Sequence, residues 1–230
     1  MKRWGLSSIV AALLLTSVLT PPANALGNER DSNVWGHIFA GKASVKTYNA
    51  TTNSGAHLES KSKFEVTYNN FPAWAQSEIQ AAVDVWSANF QSSVPIKVEA
   101  TWGRSQVYGL LGSARPGNYF NNFINAPDAT LWYPSALANA LAGRDLDKSN
   151  PEIVIQVNSA AAWDTRNDGK PSGSEYDLQS VFIHEIGHGL GFLSTDSYDP
   201  FFGYGSIDQP TPFDAYLQLT DGRRLSDLPS

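Results

Sequence analysis

Cysteine is absent from the 230 residues. The chain therefore forms no disulfide, offers no thiolate nucleophile and builds no Cys-ligated zinc or iron–sulfur site. Any metal must be held by His, Asp or Glu, and His is itself scarce, with four in the chain. Methionine occurs once, as Met1. Charge is also sparse: 17% of residues are charged, and 22 acids against 16 bases leave a net charge of −6. Binding a phosphate backbone needs the opposite balance, so nucleic acid is not an expected partner. Long apolar runs are missing apart from Leu6 to Leu19, which is shorter than the roughly 20 residues of a membrane-spanning helix. Lys2 and Arg3 precede that run, and Pro21-Pro22-Ala23-Asn24-Ala25 follows it with small residues at the cleavage positions. Residues 1–25 thus read as a secretory signal peptide. The expectation is an exported protein, extracellular or periplasmic, monomeric and without a membrane span once the signal is removed.

Hydrophobic residues make up 42% of the chain, enough for one sizeable core. Residues 26–63 are rich in Gly, Ser, Thr, Asn and Lys and read as an irregular N-terminal arm or short pro-segment. Phe64 to Tyr68 alternates apolar and polar as a half-buried strand does, and Asn69-Asn70-Phe71-Pro72 breaks it. Ile79, Ala82, Val83, Trp86 and Phe90 then form one stripe of an amphipathic helix from about Ala73 to Phe90. Ile96 to Trp102 restores the period of two. Residues 103–148 lack a clear period and are expected to cover the sheet or rim a cleft. Within them Trp132 and Tyr133 read as buried aromatic anchors. Glu152 to Asn158 is β-branched and compact, the clearest strand in the chain. Strand, helix and strand in succession, with a later strand, imply an α/β-like or α+β fold.

The chemistry concentrates in Leu178 to Phe192, which contains His184-Glu185-Ile186-Gly187-His188. Four-residue spacing puts both imidazoles on one helix face a turn apart, where they can converge on one Zn²⁺. Glu185 projects roughly 100° around the helix from His184, toward a metal-bound water, as a general base would. Ser174-x-x-Asp177 resembles a capping box ahead of Leu178, and Gly189 and Gly191 permit a sharp exit.

With these residues the sequence resembles the metzincin zinc endopeptidases, and within them a secreted group with an H-E-[IL]-G-H-G-L-G-F helix. The resemblance implies a twisted mixed sheet packed on two long helices, with the zinc helix at the cleft. Phe64 to Trp102 would supply the opening strand, helix and strand, and residues 64–230 the metalloprotease-like domain. It also implies that extended substrate pairs with an edge strand near Glu152 to Asn158. Two departures stand out. The family's third zinc ligand falls at Ser194, a poor ligand, which directs attention by proximity to Asp196 and leaves Asp199 and Asp214 open. The family's methionine turn has no counterpart, since Met1 is the only methionine. Gly222 to Ser230 reads as a sequence stopping in mid-course, so the expected C-terminal subdomain is short or truncated.

Asp164-x-Arg166-x-Asp168-Gly169 followed by Glu175 matches part of a calcium-binding loop, but Arg166 brings positive charge to a ligand position, so a polar turn is the ordinary reading. The expected function is zinc-dependent hydrolysis of peptide bonds in a protein or peptide substrate. Zn²⁺ would be the cofactor, on His184, His188 and Asp196, and Glu185 the general base. The alternative is a non-catalytic secreted binding or adhesion protein on a degenerate metalloprotease fold.

Overall fold

The computed structural model describes residues 27–40, 61–166, 168, 170–199, 201, 204–207 and 209–224. The expected signal peptide, His57 and the last six residues lie outside the described residues. The fold is α+β, with a twisted mixed sheet and, among the described residues, four helices.

The sequence period places the first half closely. Strand β3 (Phe64–Asn69) ends at Asn70, whose φ of 64° is one that Asn tolerates better than most side chains. Pro72 then leads into helix α1 (Ala73–Asn89). Ile79, Ala82 and Val83 on its apolar stripe are buried, and Trp86 and Phe90 pack partly buried beside them. Strand β4 (Ile96–Gly103) runs parallel to β3 in register from Phe64 opposite Ile96 to Asn69 opposite Thr101.

The stretch without a clear period holds more structure than expected: β5 (Leu110–Pro116), β6 (Asn118–Asn121), β7 (Tyr133–Pro134) and helix α2 (Ser135–Ala142). Its residues are buried on both faces, so alternation is lost although pairing is not. Phe120, Phe123, Tyr133, Ala138 and Leu146 form a second, smaller core beneath α2.

Strand β8 (Ile153–Asn158) falls where β-branching placed it, but its position corrects one expectation. It pairs parallel with β4 on one side and antiparallel with β5 on the other, so it is interior and offers no free edge to a substrate. Ile153, Ile155 and Val157 on its inward face are buried, each worth roughly 1.5–3 kcal/mol of transfer free energy, which favours a central place in the sheet.

The N-terminal arm is not irregular throughout. Strand β1 (Asn28–Asp31) pairs antiparallel with β6, and β2 (Gly36–Phe39) pairs antiparallel with β5. The main sheet accordingly runs β2-β5-β8-β4-β3 and a smaller one β1-β6-β7.

Helix α3 (Leu178–Leu190) packs against α1 and the main sheet, with Leu178, Val181, Phe182, Ile186 and Leu190 in the core. The Trp86 indole N–H donates to the Ile183 carbonyl at 2.8 Å, joining the two long helices. A hairpin of β9 (Ser197–Asp199) and β10 (Tyr204–Ser206) follows, then the short helix α4 (Pro212–Tyr216). No helix of the described residues is long and apolar enough to cross a membrane.

Candidate metal centre

Helix α3 carries the H-E-x-x-H segment, and its ends are held locally. Asp177, not Ser174, is the N-cap: its carboxylate accepts from the Ser180 N–H at 2.8 Å and from the Ser180 hydroxyl. A cap one turn nearer the helix is favoured because Asp177 stands directly before Leu178 and reaches the third amide of the helix. At the other end Gly191 adopts a φ of 119°, a region most side chains avoid, and its N–H reaches the Gly187 and His188 carbonyls. Gly189 lies inside the helix instead of marking its exit.

This ending orients the His188 imidazole. The chain turns so that the Phe192 carbonyl lies 2.8 Å from His188 Nδ1. A carbonyl only accepts, so Nδ1 is the protonated nitrogen and Nε2 keeps its lone pair. His188 Nε2 in turn lies 2.8 Å from His184 Nε2, with the two rings edge to face at 4.4 Å. Two nitrogens bound tetrahedrally to one zinc would sit about 3.3 Å apart. The pair therefore fits a shared Zn²⁺ after a ring movement of a few tenths of an ångström. Burial, then the neighbouring His188, lowers the His184 pKa and favours its neutral, ligating form.

Glu185 is fully buried, and neither carboxylate oxygen has a hydrogen-bond partner. Burial pushes its pKa up to about 8. Gly112 of β5 lies against Glu185; a Cβ built at Gly112 would stand 3.0 Å from Glu185 Oε1. A buried carboxyl left without partners costs stability and contributes nothing evident to packing, which is how functional acids often look.

The third-ligand candidates separate. Asp214 is the third residue of α4 and forms a capping box with Thr211, and its carboxylate accepts from the Thr211 N–H and hydroxyl at 2.8 Å each and from Ser194 Oγ at 2.5 Å. Burial would raise its pKa, but these hydrogen bonds and one from Thr195 hold it below the usual carboxylate value. Asp214 is thus engaged in folding the loop after α3. The signal was present as Thr211-Pro212-Phe213-Asp214, a capping-box pattern with Pro at the first helical position. Ser194 lies between Asp214 and the exposed Asp196, whose carboxylate meets the Ser194 hydroxyl. Asp199 closes β9, and its side chain lies outside the described residues. Among the described residues no three His, Asp or Glu side chains gather as a metal cluster, so Asp196 is not brought together with the imidazole pair. His37 sits on β2, its ring stacked on Phe39.

In the calcium-like loop, the Arg166 guanidinium pairs with Asp164 at 2.7 Å and with Glu175 at 2.7 Å, so the loop's carboxylates already surround a cation of the chain's own. Close by, Glu78 of α1 is 3% exposed. Burial, then the charges of Asp177, Asp164 and Asp168, raises its pKa from 4.5 to about 7. A carboxyl whose pKa is higher in the folded state destabilises the fold as pH rises from 4.5 to about 7. Glu78→Gln is therefore expected to raise thermal stability at pH 8 by roughly 1–2 kcal/mol, or about 2–8 °C, with the gain vanishing near pH 4. Scanning calorimetry at the two pH values checks this.

Comparison with protein families, with curated proteins and with solved structures finds no match for this chain.

Proposed function

We propose that the protein is an exported zinc-dependent endopeptidase of the metzincin type, with His184 and His188 as metal ligands and Glu185 as general base. The observation that carries this reading is a fully buried, unpartnered Glu185 one position from two imidazoles whose Nε2 atoms converge to 2.8 Å. Asp196, on the loop that leaves α3, is the proposed third ligand because Asp214 is consumed by the cap of α4; the loop would have to move to bring Asp196 to the imidazole pair. Zinc at such a site supplies Lewis acidity toward a carbonyl and a water of lowered pKa. The chain's own residues do the rest. The Phe192 carbonyl fixes the His188 tautomer, and Glu185 Oε1 or Oε2 takes a proton from water and gives it to the leaving amine. The apolar surround of Glu185 keeps bulk water away from that proton. Strand β5 passes over Glu185 at Gly112, but β2 and β8 pair with it on both sides, so an extended peptide would pair there only in place of β2.

The test is zinc content by mass spectrometry on the purified protein, together with casein hydrolysis before and after chelation. One zinc per chain and chelator-sensitive hydrolysis are expected. Zinc without hydrolysis favours the non-catalytic binding protein, to which the absence of a three-residue cluster among the described residues lends weight. No zinc in a folded chain rejects the metal reading.

A further inference from the structure

Four buried side-chain atoms without a hydrogen-bond partner gather on one face of the small sheet: Arg30 Nε and Nη2, Ser32 Oγ and Tyr119 Oη. Arg30 stands opposite Tyr119 in the β1–β6 register, and Ser32, two residues on, falls on the same side of the chain. Tyr119 is 1% exposed and Ser32 8%. The Arg30 guanidinium stands over the Tyr119 and Trp132 rings at 4.6 and 5.1 Å, contacts that engage its face and leave its edge free. Burial pushes the Tyr119 phenol up to about 12, against the opposing influence of Arg30 and then of Ser32, so the three polar groups act on one another.

We propose that Arg30, Ser32 and Tyr119 form a binding site for one compact monovalent anion, a halide or a small carboxylate, held on the Nε–Nη2 edge of the guanidinium. The inference does not depend on the peptidase reading.

The chemistry of the four atoms selects the occupant. Arginine only donates, and Nε and Nη2 form the edge of the guanidinium that grips an anion with two parallel hydrogen bonds. Each hydroxyl can turn its proton the same way. None of the four atoms is open to solvent, so the occupant is compact. The chain supplies no anion of its own there. Glu29 and Asp31 alternate to the other face of β1 and are exposed. Asp214, whose charge reaches Arg30, spends its carboxylate on Thr211, Ser194 and Thr195. A buried water could meet two or three of the donors, but it would leave the guanidinium charge uncompensated away from solvent, which costs stability. An anion offsets both. It would also tie β1 to the segment ahead of α4, because the Trp132 N–H beside Arg30 donates to the Pro210 carbonyl at 2.9 Å.

The test is the melting temperature of the full chain in sodium gluconate, whose anion is too bulky for the site, with chloride or formate replacing gluconate at constant ionic strength. Screening is then held fixed, and only a bound ion moves the transition. The melting temperature is expected to rise with chloride, formate or both, with an apparent midpoint below about 50 mM, as mass action at one site requires. The ion that acts at the lower concentration is the one the site prefers. Arg30→Gln removes the charge and should abolish the rise. Tyr119→Phe keeps the ring beneath the guanidinium and removes one donor. It should move the midpoint up about tenfold or more, the effect of losing one hydrogen bond to a charged group, and it carries the test if Arg30→Gln does not fold. Wild type that melts alike in all three salts overturns the proposal and leaves the four atoms to water. An unaltered rise in either folded variant overturns it as well, because the ion would then bind elsewhere.

Discussion

Glu185→Gln is expected to lower peptide hydrolysis by about 10²–10⁴-fold, the contribution of a positioned general acid or base, while zinc content stays at wild-type level. The fold should survive the change for a reason visible in the structure. Burial holds the Glu185 carboxyl near a pKa of 8 in the metal-free chain, so at neutral pH the substitution exchanges one largely neutral group for another of the same shape. Neither carboxylate oxygen accepts a hydrogen bond, so none is lost. A purely structural Glu185 would show the reverse: altered stability and unchanged turnover. The measurement is kcat on a defined peptide beside zinc content and the melting temperature of the chelated protein. A fully active Glu185→Gln protein would remove Glu185 from the mechanism.

His188→Ala should abolish stoichiometric zinc, weakening affinity by more than about 100-fold, the upper range for loss of an outer-shell partner alone. His184→Ala should do the same to zinc but not to the helix. His188 donates to the Phe192 carbonyl at the end of α3, so only its loss removes that bond, at a net cost of about 1 kcal/mol in the chelated protein. Zinc at about 100 times its Kd stabilises a wild-type site by roughly 2.7 kcal/mol. The wild-type melting temperature should therefore fall on chelation, and that of both variants should not. Retention of one zinc per chain in either variant would place the metal elsewhere.

The parts of the fold legible in the sequence are those where one face is buried and the other is not. The α1 stripe, β3, β4, β8 and helix α3 all have that property, and their residues fall within a position or two of expectation. The strands that escaped are of two other kinds. In β5 and β6 most residues are buried on both sides, which erases the period of two. In β1 the sequence Asn-Glu-Arg-Asp has no apolar residue, because its inward side chain is Arg30. Sheet order was not legible at all. Glu152 to Asn158 identifies itself as a strand, but nothing in those residues says that β5 will return antiparallel to cover its far side.

The site divides similarly. The His184, Glu185 and His188 constellation is a local property of one helix, so spacing alone was enough to place the imidazoles together. The surroundings of the site come from distant segments. Gly112 over Glu185 and Gly36 over His188 are glycines in loosely patterned stretches, and their meaning appears only when the sheet presses them onto α3. Asp214 shows a middle case: its capping box with Thr211 was readable, while its reach back to Ser194 and Thr195 across the loop was not.

The partner that orients His188 is a main-chain carbonyl, and this makes the arrangement indifferent to side-chain identity at position 192. An aspartate or amide doing the same task could be lost in one substitution; a peptide oxygen is supplied by every residue. What the chain must preserve instead is the bend that delivers the oxygen, and that requirement falls on Gly191 and its φ of 119°. Phe192 is consequently at liberty to use its exposed ring otherwise, against Trp86 on one side and Phe213 on the other, so that the aromatic side chain couples the two helices α1 and α4 while its backbone holds the imidazole. One residue thus carries two separable duties, the first immune to sequence drift and the second fully exposed to it.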